Sequence, residues 1–396
     1  MNTTLASVPR TEAVKLICEN LHFTSREETV PLQEAAFRVA SRDIASKLNL
    51  PDTRCSRWDG ITFNYNSYTA CKGVVSSWRE NDDYIFSNTG IALFHDEFDT
   101  MVKIEDTLFQ DGKLLQILQP DVQSGQNIIA VGERMSVGEI LVRKDTLIMP
   151  SHLNLMASGG NAFATVYAKP KVAILSTGNE LISNHDIAFA GRTIESNSFS
   201  MAAKIKARGG EAYIYPILPD DQETIKAVIK EAAGSCDMIV LCGGSGRGQH
   251  DLLQVSLQDI GTLMFSDVEH GPGKRTCFAV VGNTPVFGLV GPPGGEELTF
   301  DFYIIPALDR CLKQTTHIRT VKAVLDCDIP PHFKVSFYFT LRVYEKDGRY
   351  HASLVSGNFD RSIADHNAYI YVLKTSQGYK KGDTAEVEIR TFYENI

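Results

Sequence analysis

The chain has 396 residues, 43% hydrophobic and 22% charged, which excludes disorder as its main state and calls for two to four domains rather than one core. A formal net charge of −9 argues against non-specific nucleic-acid binding, and it means that an anionic ligand must be met by a local cluster of cations or by a metal. The opening MNTTLASVPRTEAVKL lacks a basic-then-apolar leader, no run of eighteen apolar residues occurs, and the eight cysteines form no Cys-x-x-Cys pair; the expectation is a cytoplasmic protein with buried free thiols, off the membrane and without a zinc site.

In chain order, Thr11 to Leu21 carries a helical stripe at Ala13, Val14, Ile17, Cys18 and Leu21, and Pro31 to Lys47 repeats it through Leu32, Ala35, Ala36, Val39, Ala40 and Ile44. From Asn64 to Ile148 short β-rich pieces are broken by Gly90, Asp111-Gly112, Ser124-Gly125, Gly132 and Gly138. Helical spacing resumes at Ser151 to Gly159. From Lys169 the pattern alternates. A strand over Val172 to Leu175 precedes a helix from Ile194 to Arg208, a strand from Ala212 to Leu218, and a helix through Ile225 and Ala232 for which Asp220 and Glu223 offer a capping box. A strand at Met238 to Leu241 and a helix from about Asp251 to Gln258 complete the second βαβ unit, so a parallel sheet is expected. Phe278 to Leu289 reads as a hairpin at the sheet's edge, followed by a helix from Glu296 to Leu312. Alternating segments at Val321–Leu325, Lys334–Tyr344, Tyr369–Leu373 and Ala385–Ile389 describe a terminal β domain.

The fold class that follows is a multidomain α/β protein. A doubly wound, mostly parallel α/β domain occupies 169–314. A helical linker domain takes 1–48 plus 146–168, a β-rich domain is inserted at 49–145, and a β domain closes the chain at 315–396.

Two buried strands each run into a loop of small residues carrying an acid: Ser176-Thr177-Gly178-Asn179-Glu180, and Gly243-Gly244-Ser245-Gly246-Arg247-Gly248 with Asp251 just beyond. Open α/β sheets bind ligands beyond the carboxyl ends of their strands, so this crevice is the expected site. Glu180, Asp220 and Asp251 all fall at strand ends and could hold Mg²⁺ together with ligand phosphates; singly, each reads as a cap or a surface acid. Lys274 and Arg275, after the Gly271-Pro272-Gly273 turn, and Arg247 are placed to meet an anion or to be solvated surface charges. No Walker loop and no Gly-x-Gly-x-x-Gly follow the first strand, and Ser245 is off-centre for a hydrolase elbow.

At these residues the chain resembles the molybdopterin molybdenumtransferase family (MoeA and the E domain of gephyrin). Val172 to Leu181 resembles the family's Val-Ala-Ile-x-Ser-Thr-Gly-Asp/Asn-Glu-Leu signature, and Pro219-Asp220-Asp221 its Pro-Asp-Asp. Ser56 with Asp59-Gly60 is similar to Ser-Ala-Met-Asp-Gly-Tyr-Ala, Thr89-Gly90 and Asp99 to the next loop, and Gly132-Glu133 to the Gly-Glu-Asp region. The resemblance implies an elongated homodimer whose α/β domain shares the fold of molybdopterin adenylyltransferases. It implies binding of adenylated molybdopterin and molybdate, divalent-cation-dependent release of AMP, and molybdenum left on the dithiolene. It assigns Mg²⁺ and the pterin phosphate region to Glu180, Asp220 and Asp251, and the anion to Lys274. The ligand would be cradled by Ser176, Thr177, Gly178, Gly243, Gly244, Ser245, Arg247, Gly273 and Arg275, with Asp59 and Thr89 supplied by the partner subunit.

The departures are specific. The family's Gly-Gly-Val-Ser-Val-Gly-Asp-Tyr-Asp is Gly243 to Asp251 here, with Gln249 for the first acid. Pro292 replaces the asparagine of Leu-Pro-Gly-Asn-Pro, and Gly271 replaces the first lysine of Lys-Pro-Gly-Lys-Pro. Ile129 and Arg134 stand at a family arginine and aspartate. Three functions are therefore weighed: an active molybdenum insertase, a paralogue that binds or delivers molybdenum cofactor without turnover, and a non-enzymatic scaffold. The joint survival of Asp59, Glu180, Asp220, Asp251 and Lys274 puts the insertase first.

Overall fold

The computed structural model describes residues 7–23, 25–187, 191–243, 249–355 and 363–390, with the side chains of 249–251 outside the description. The chain divides into two compact units, one of residues 1–26 with 167–396 and one of residues 27–166.

The first unit is built on a six-stranded sheet. Its strands are β1 (Lys171–Thr177), β2 (Glu211–Ile214), β3 (Met238–Gly243), β4 (Thr262–Phe265), β5 (Cys277–Val281) and β6 (Thr284–Val290), in the order β2-β1-β3-β6-β5-β4. β2, β1, β3 and β6 are parallel, as the alternating pattern predicts, whereas β5 and β4 are antiparallel. The predicted β5–β6 hairpin forms, but β6 pairs with β3 and is therefore interior; the edge strand on that side is β4.

The apolar run of β1 is buried on both sides because alternate residues enter different cores. Val172 and Ile174 pack with α1 (Arg10–Glu19), α2 (Asn197–Ala207) and the helical stretch from α5 (Pro293–Thr299) through a π turn (Phe300–Ile304) to α6 (Ile305–Cys311). Ala173 and Leu175 pack with α3 (Gln222–Ala233) and α4 (Gln249–Ile260). The helix expected from Ile194 starts only at Asn197, because Thr193–Ile194 pairs in parallel with Leu181–Ile182.

Five strands between Arg319 and Ile389 close into a barrel. Arg319–Leu325, Arg349–Leu354, Ser336–Lys346, Ala368–Val372 and Thr384–Ile389 pair in a ring around Leu325, Leu341, Val343, Ile370 and Val387. Strand Arg349–Leu354 is absent from the sequence reading. Asp347-Gly348, both with positive φ, is the hairpin signal that marks it.

Among its described residues the second unit contains the expected short strands, the helix expected after Ser151, at Pro150–Ser158, and a further short α-helix, Tyr65–Ala70. The helix expected over Pro31 to Lys47 does not form. Glu27–Pro31 is a strand paired with Phe163–Tyr167, Phe37 sits at φ 62°, and Val39, Ala40 and Ile44 bridge to Leu147, Val166 and Val142. Non-local pairing overrides a helical spacing that the apolar residues satisfy equally well. Among the described residues no helix is long and apolar enough to cross a membrane.

Candidate functional site

The strand order reverses between β1 and β3, the position at which an open α/β sheet forms its binding crevice. Register aligns Thr177 with Gly243 and Gly243 with Val290, so three strands end level at this edge.

The turn after β1 is latched by Asp220. Thr177 Oγ1 donates to Asp220 Oδ1 at 3.0 Å, and the Asn179 backbone N–H donates to Oδ2 at 2.9 Å. The Asp220 N–H donates in return to Asn179 Oδ1 at 3.2 Å. The expected cap role falls one residue later, where the Asp221 carboxylate accepts the Thr224 N–H at 2.8 Å and starts α3. Asp220, relieved of that task, organises the site. Gly178 is required because a Cβ there would lie 2.9 Å from both Glu180 Oε1 and Leu181 Cγ; without it the Glu180 carboxyl folds back over the turn.

Leu181–Ile182 carries the chain to Thr193–Ile194, which delivers two residues the sequence reading did not single out as site residues. Glu195, 9% exposed, accepts the Ser198 N–H at 2.9 Å and the Ser198 hydroxyl at 2.5 Å, fixing the first turn of α2. Asn197 Nδ2 donates to the Gly291 carbonyl at 2.9 Å and to Cys242 Sγ at 3.0 Å, tying together the ends of β3 and β6. The Glu195-Ser196-Asn197 run before an amphipathic helix is the signal that could have found them. Burial, with Glu296 adding to it, pushes the Cys242 thiol far above its ordinary range, which makes it inert.

These elements enclose a cavity of about 310 Å³ lined by Ser176, Glu180, Leu181, Thr193 to Asn197, Cys242, Gly243 and Gly291 to Pro293. Of the predicted set it gathers Ser176, Glu180 and Gly243; Thr177, Gly178 and Asp220 build the turn behind it. Lys274 and Arg275 are exposed and do not line it. Their loop nonetheless packs on the start of α5. Gly273 has φ +85°, and a Cβ there would lie 2.3 Å from Thr299 Cγ2, while a Cβ on Gly295 would lie 3.2 Å from the Gly273 nitrogen. Gly244, Ser245 and Arg247 lie outside the described residues, as does the side chain of Asp251, whose backbone belongs to the first turn of α4. Among the described residues no three His, Cys, Asp or Glu side chains converge on a metal position.

In the second unit, Asp59 Oδ1 accepts the Thr89 N–H at 2.6 Å and its hydroxyl at 2.9 Å, and these two bonds hold the Asp59 carboxyl below its ordinary range. They border a depression of about 430 Å³ with Trp58, Lys103, Glu105 and Asp106, in which the Lys103 ammonium stands 4.5 Å from the Trp58 ring. Ile129 is held in a two-residue ladder against Cys55 and Ser56, and Glu133 accepts from Arg57 at 2.5 Å.

Two family models match the chain: the MoeA N-terminal region (domains I and II) over residues 8–160, and a probable molybdopterin binding domain over residues 173–310. A molybdopterin molybdenumtransferase of Bacillus subtilis is 28% identical, covering 96% of this chain and 93% of its own. One from Staphylococcus aureus is 25% identical over 96% of this chain and 95% of its own. The crystal structure of a molybdopterin biosynthesis MoeA protein from Pyrococcus horikoshii superposes with a TM-score of 0.81 at 23% identity, covering 97% of this chain and 99% of that one.

Proposed function

The chain belongs to the MoeA family of molybdenum-cofactor biosynthesis proteins, and from that premise we propose that it is a molybdenum insertase. In this reading it binds adenylated molybdopterin at the carboxyl ends of β1, β3 and β6 and takes molybdenum from molybdate onto the dithiolene as AMP leaves. The observation that carries the reading is the cavity at the strand-order switch, with Glu180 held against a turn that Asp220 latches.

The residues fit a Mg²⁺ that keeps ligand phosphates and waters in most of its positions. Glu180 would be its main protein ligand. Asp220, whose carboxylate latches the turn, is proposed beside it, and Asp251 is proposed as the third acid from its position at the start of α4. When bound, the ion supplies charge neutralisation at the phosphate oxygens. The protein's own part is positional. The latched turn brings Ser176 and Glu180 to one cavity, and Asn197 sets the distance to the opposite wall at Gly291 to Pro293. Lys274 and Arg275 on their exposed loop are proposed to meet the incoming anion. Asp59, kept ionised by Thr89, is proposed to serve the same reaction, and the protein is proposed to work as a homodimer in the cytoplasm.

Incubation with adenylated molybdopterin, molybdate and Mg²⁺ tests this. AMP release that requires molybdate and Mg²⁺ and is lost in Glu180→Ala supports it; binding of the substrate with no AMP release refutes it. That second outcome would support cofactor binding and delivery without turnover. Pro292 favours this reading: it lines the cavity with no side-chain hydrogen-bonding group.

A further inference from the structure

The turn that carries Asp59 joins two strands of the second unit, Cys55–Ser56 and Gly60–Phe63. The Ile104 N–H donates to the Asp59 carbonyl at 3.0 Å, and Gly60 stands opposite both Ser87 and Lys103 in a three-stranded sheet. A Cβ on Gly60 would lie 2.0 Å from the Val102 carbonyl oxygen, so the turn rests directly on the neighbouring strand. On this scaffold Trp58 is 45% exposed and borders the 430 Å³ depression. The same position is a methionine in the family motif that the turn resembles, so the indole is a feature of this chain.

The polar groups around the indole narrow what can lie against it. The Lys103 ammonium stands over the ring and makes no ion pair with a described residue, although Asp59, Glu105 and Asp106 line the same depression. Asp59 accepts both donors of Thr89, whereas the carboxylates of Glu105 and Asp106 accept no hydrogen bond from a described residue. A cationic ligand would compete with Lys103, which already holds the cation's place over the ring. An anionic ligand would meet three carboxylates and one ammonium. An aliphatic ligand would cover both free acids and give them no donor. An uncharged planar ring with N–H groups on its edge meets none of these costs: it stacks on the indole and donates to the free carboxylates.

We propose that Trp58 is the stacking platform for an amine-bearing nitrogen heterocycle of the ligand, and that Glu105 and Asp106 accept from its exocyclic amine. The proposal rests on the reading of adenylated molybdopterin as the substrate. That ligand carries two such rings, the adenine at one end and the aminopyrimidine ring of the pterin at the other. They share the chemistry that the depression selects, and the experiment below separates them. With either ring, stacking brings the heterocycle into the depression that holds Asp59, so recognition of the ring and presentation of that carboxylate become one event.

Tryptophan fluorescence of the full-length protein tests this. The chain has two tryptophans, and Trp78 packs against Phe63 and Tyr68, so Trp78→Phe leaves Trp58 as the sole indole. Titration of this variant with adenosine and with pterin is expected to give saturable quenching by at least one, which identifies the ring. The same ring without its amine, purine riboside or pteridin-4-one, should bind more weakly by roughly tenfold. Glu105→Ala combined with Asp106→Ala should erase that difference. Trp58→Leu, followed by calorimetry, should lose binding, and Trp58→Phe should retain it. Absence of saturable quenching by both compounds, equal binding with and without the amine, or undiminished binding in Trp58→Leu overturns the proposal. Titration with adenylated molybdopterin separates the two readings. If Trp58→Leu binds it as tightly as the parent, the Trp58 assignment fails and the insertase reading stands. If the parent does not bind it while adenosine or pterin quenches Trp58, the insertase reading fails and the assignment stands.

Discussion

Replacing Glu296 with glutamine should remove a pH dependence from stability. The carboxyl is buried within its helix beside Glu297 and Asp301, with Lys204 acting on it from α2 and Arg390 from just after the last barrel strand. Desolvation outweighs Lys204 and lifts its pKa from 4.5 to about 8. Between those values the folded protein holds a proton that the unfolded chain releases, so stability is fully present below pH 4.5 and falls as pH rises through 8. At about 1.4 kcal/mol per tenfold change in proton affinity, the whole window amounts to roughly 5 kcal/mol, an upper figure. Glu297 and Asp301, held below the carboxylate range because Lys204 and Arg390 overcome their desolvation, act only at more acid pH. His270, pushed down to about 4 by burial, gives the opposite slope between 4 and its ordinary 6.5, but it is common to both proteins and cancels in the comparison. Urea-denaturation midpoints at pH 5, 7 and 8.5 give the measurement. The parent and Glu296→Gln should be close at pH 5, with the variant ahead by several kcal/mol at pH 8.5. Parallel curves across that range would refute the account of a carboxyl held protonated by burial.

Three further outcomes follow from the same geometry. Gly178→Ala puts a Cβ against Glu180 and Leu181, so AMP release or ligand binding should fall at least tenfold while stability changes by about 1–3 kcal/mol, measured by kinetics and thermal denaturation side by side. Arg390→Met leaves Asp301 and Glu297 with one cation between them in the interior and should cost about 3–5 kcal/mol in a chemical-denaturation midpoint. Asn197→Ala removes the donor to Gly291 and Cys242, costing about 1–2 kcal/mol and weakening affinity for adenylated molybdopterin in a direct binding titration.

The strands of the central sheet were legible because Val172 to Leu175 and Met238 to Leu241 are apolar at every position, a demand that only burial on both faces makes. The turn at Ser176 to Glu180 was legible as punctuation after such a strand. What escaped depends on residues far apart in sequence. Lys204, Glu297, Asp301 and Arg390 form one buried network, yet no local pattern joins α2 to the last barrel strand. Glu296, Glu297 and Asp301, acids set among the buried Leu298, Phe300 and Phe302, are its one trace in the local sequence. The misread helix at Pro31 to Lys47 failed for the same reason, since its apolar residues answer to Leu147 and Val166 rather than to each other. Asp220 and Asp221 differ by one position, and only the backbone decides which of them caps and which latches.

The helix α1 stands outside the order in which the chain is made. Ala13 and Ile17 share a core with Leu308 and Cys311, while the whole second unit intervenes before the first strand of the sheet. The chain leaves and re-enters the first unit at neighbouring points, where the Ala168 N–H donates to the Arg26 carbonyl at 2.8 Å. On the ribosome, therefore, α1 must wait with its apolar stripe uncovered until Leu308 and Cys311 have been synthesised. Residues 27–166 can meanwhile gather their own cores, one around Ile61, Phe63, Tyr84 and Val102 and another around Val30, Ile44 and Met156. Assembly of the cleft-bearing unit is then a late event, completed when the helical stretch around Leu308 meets α1.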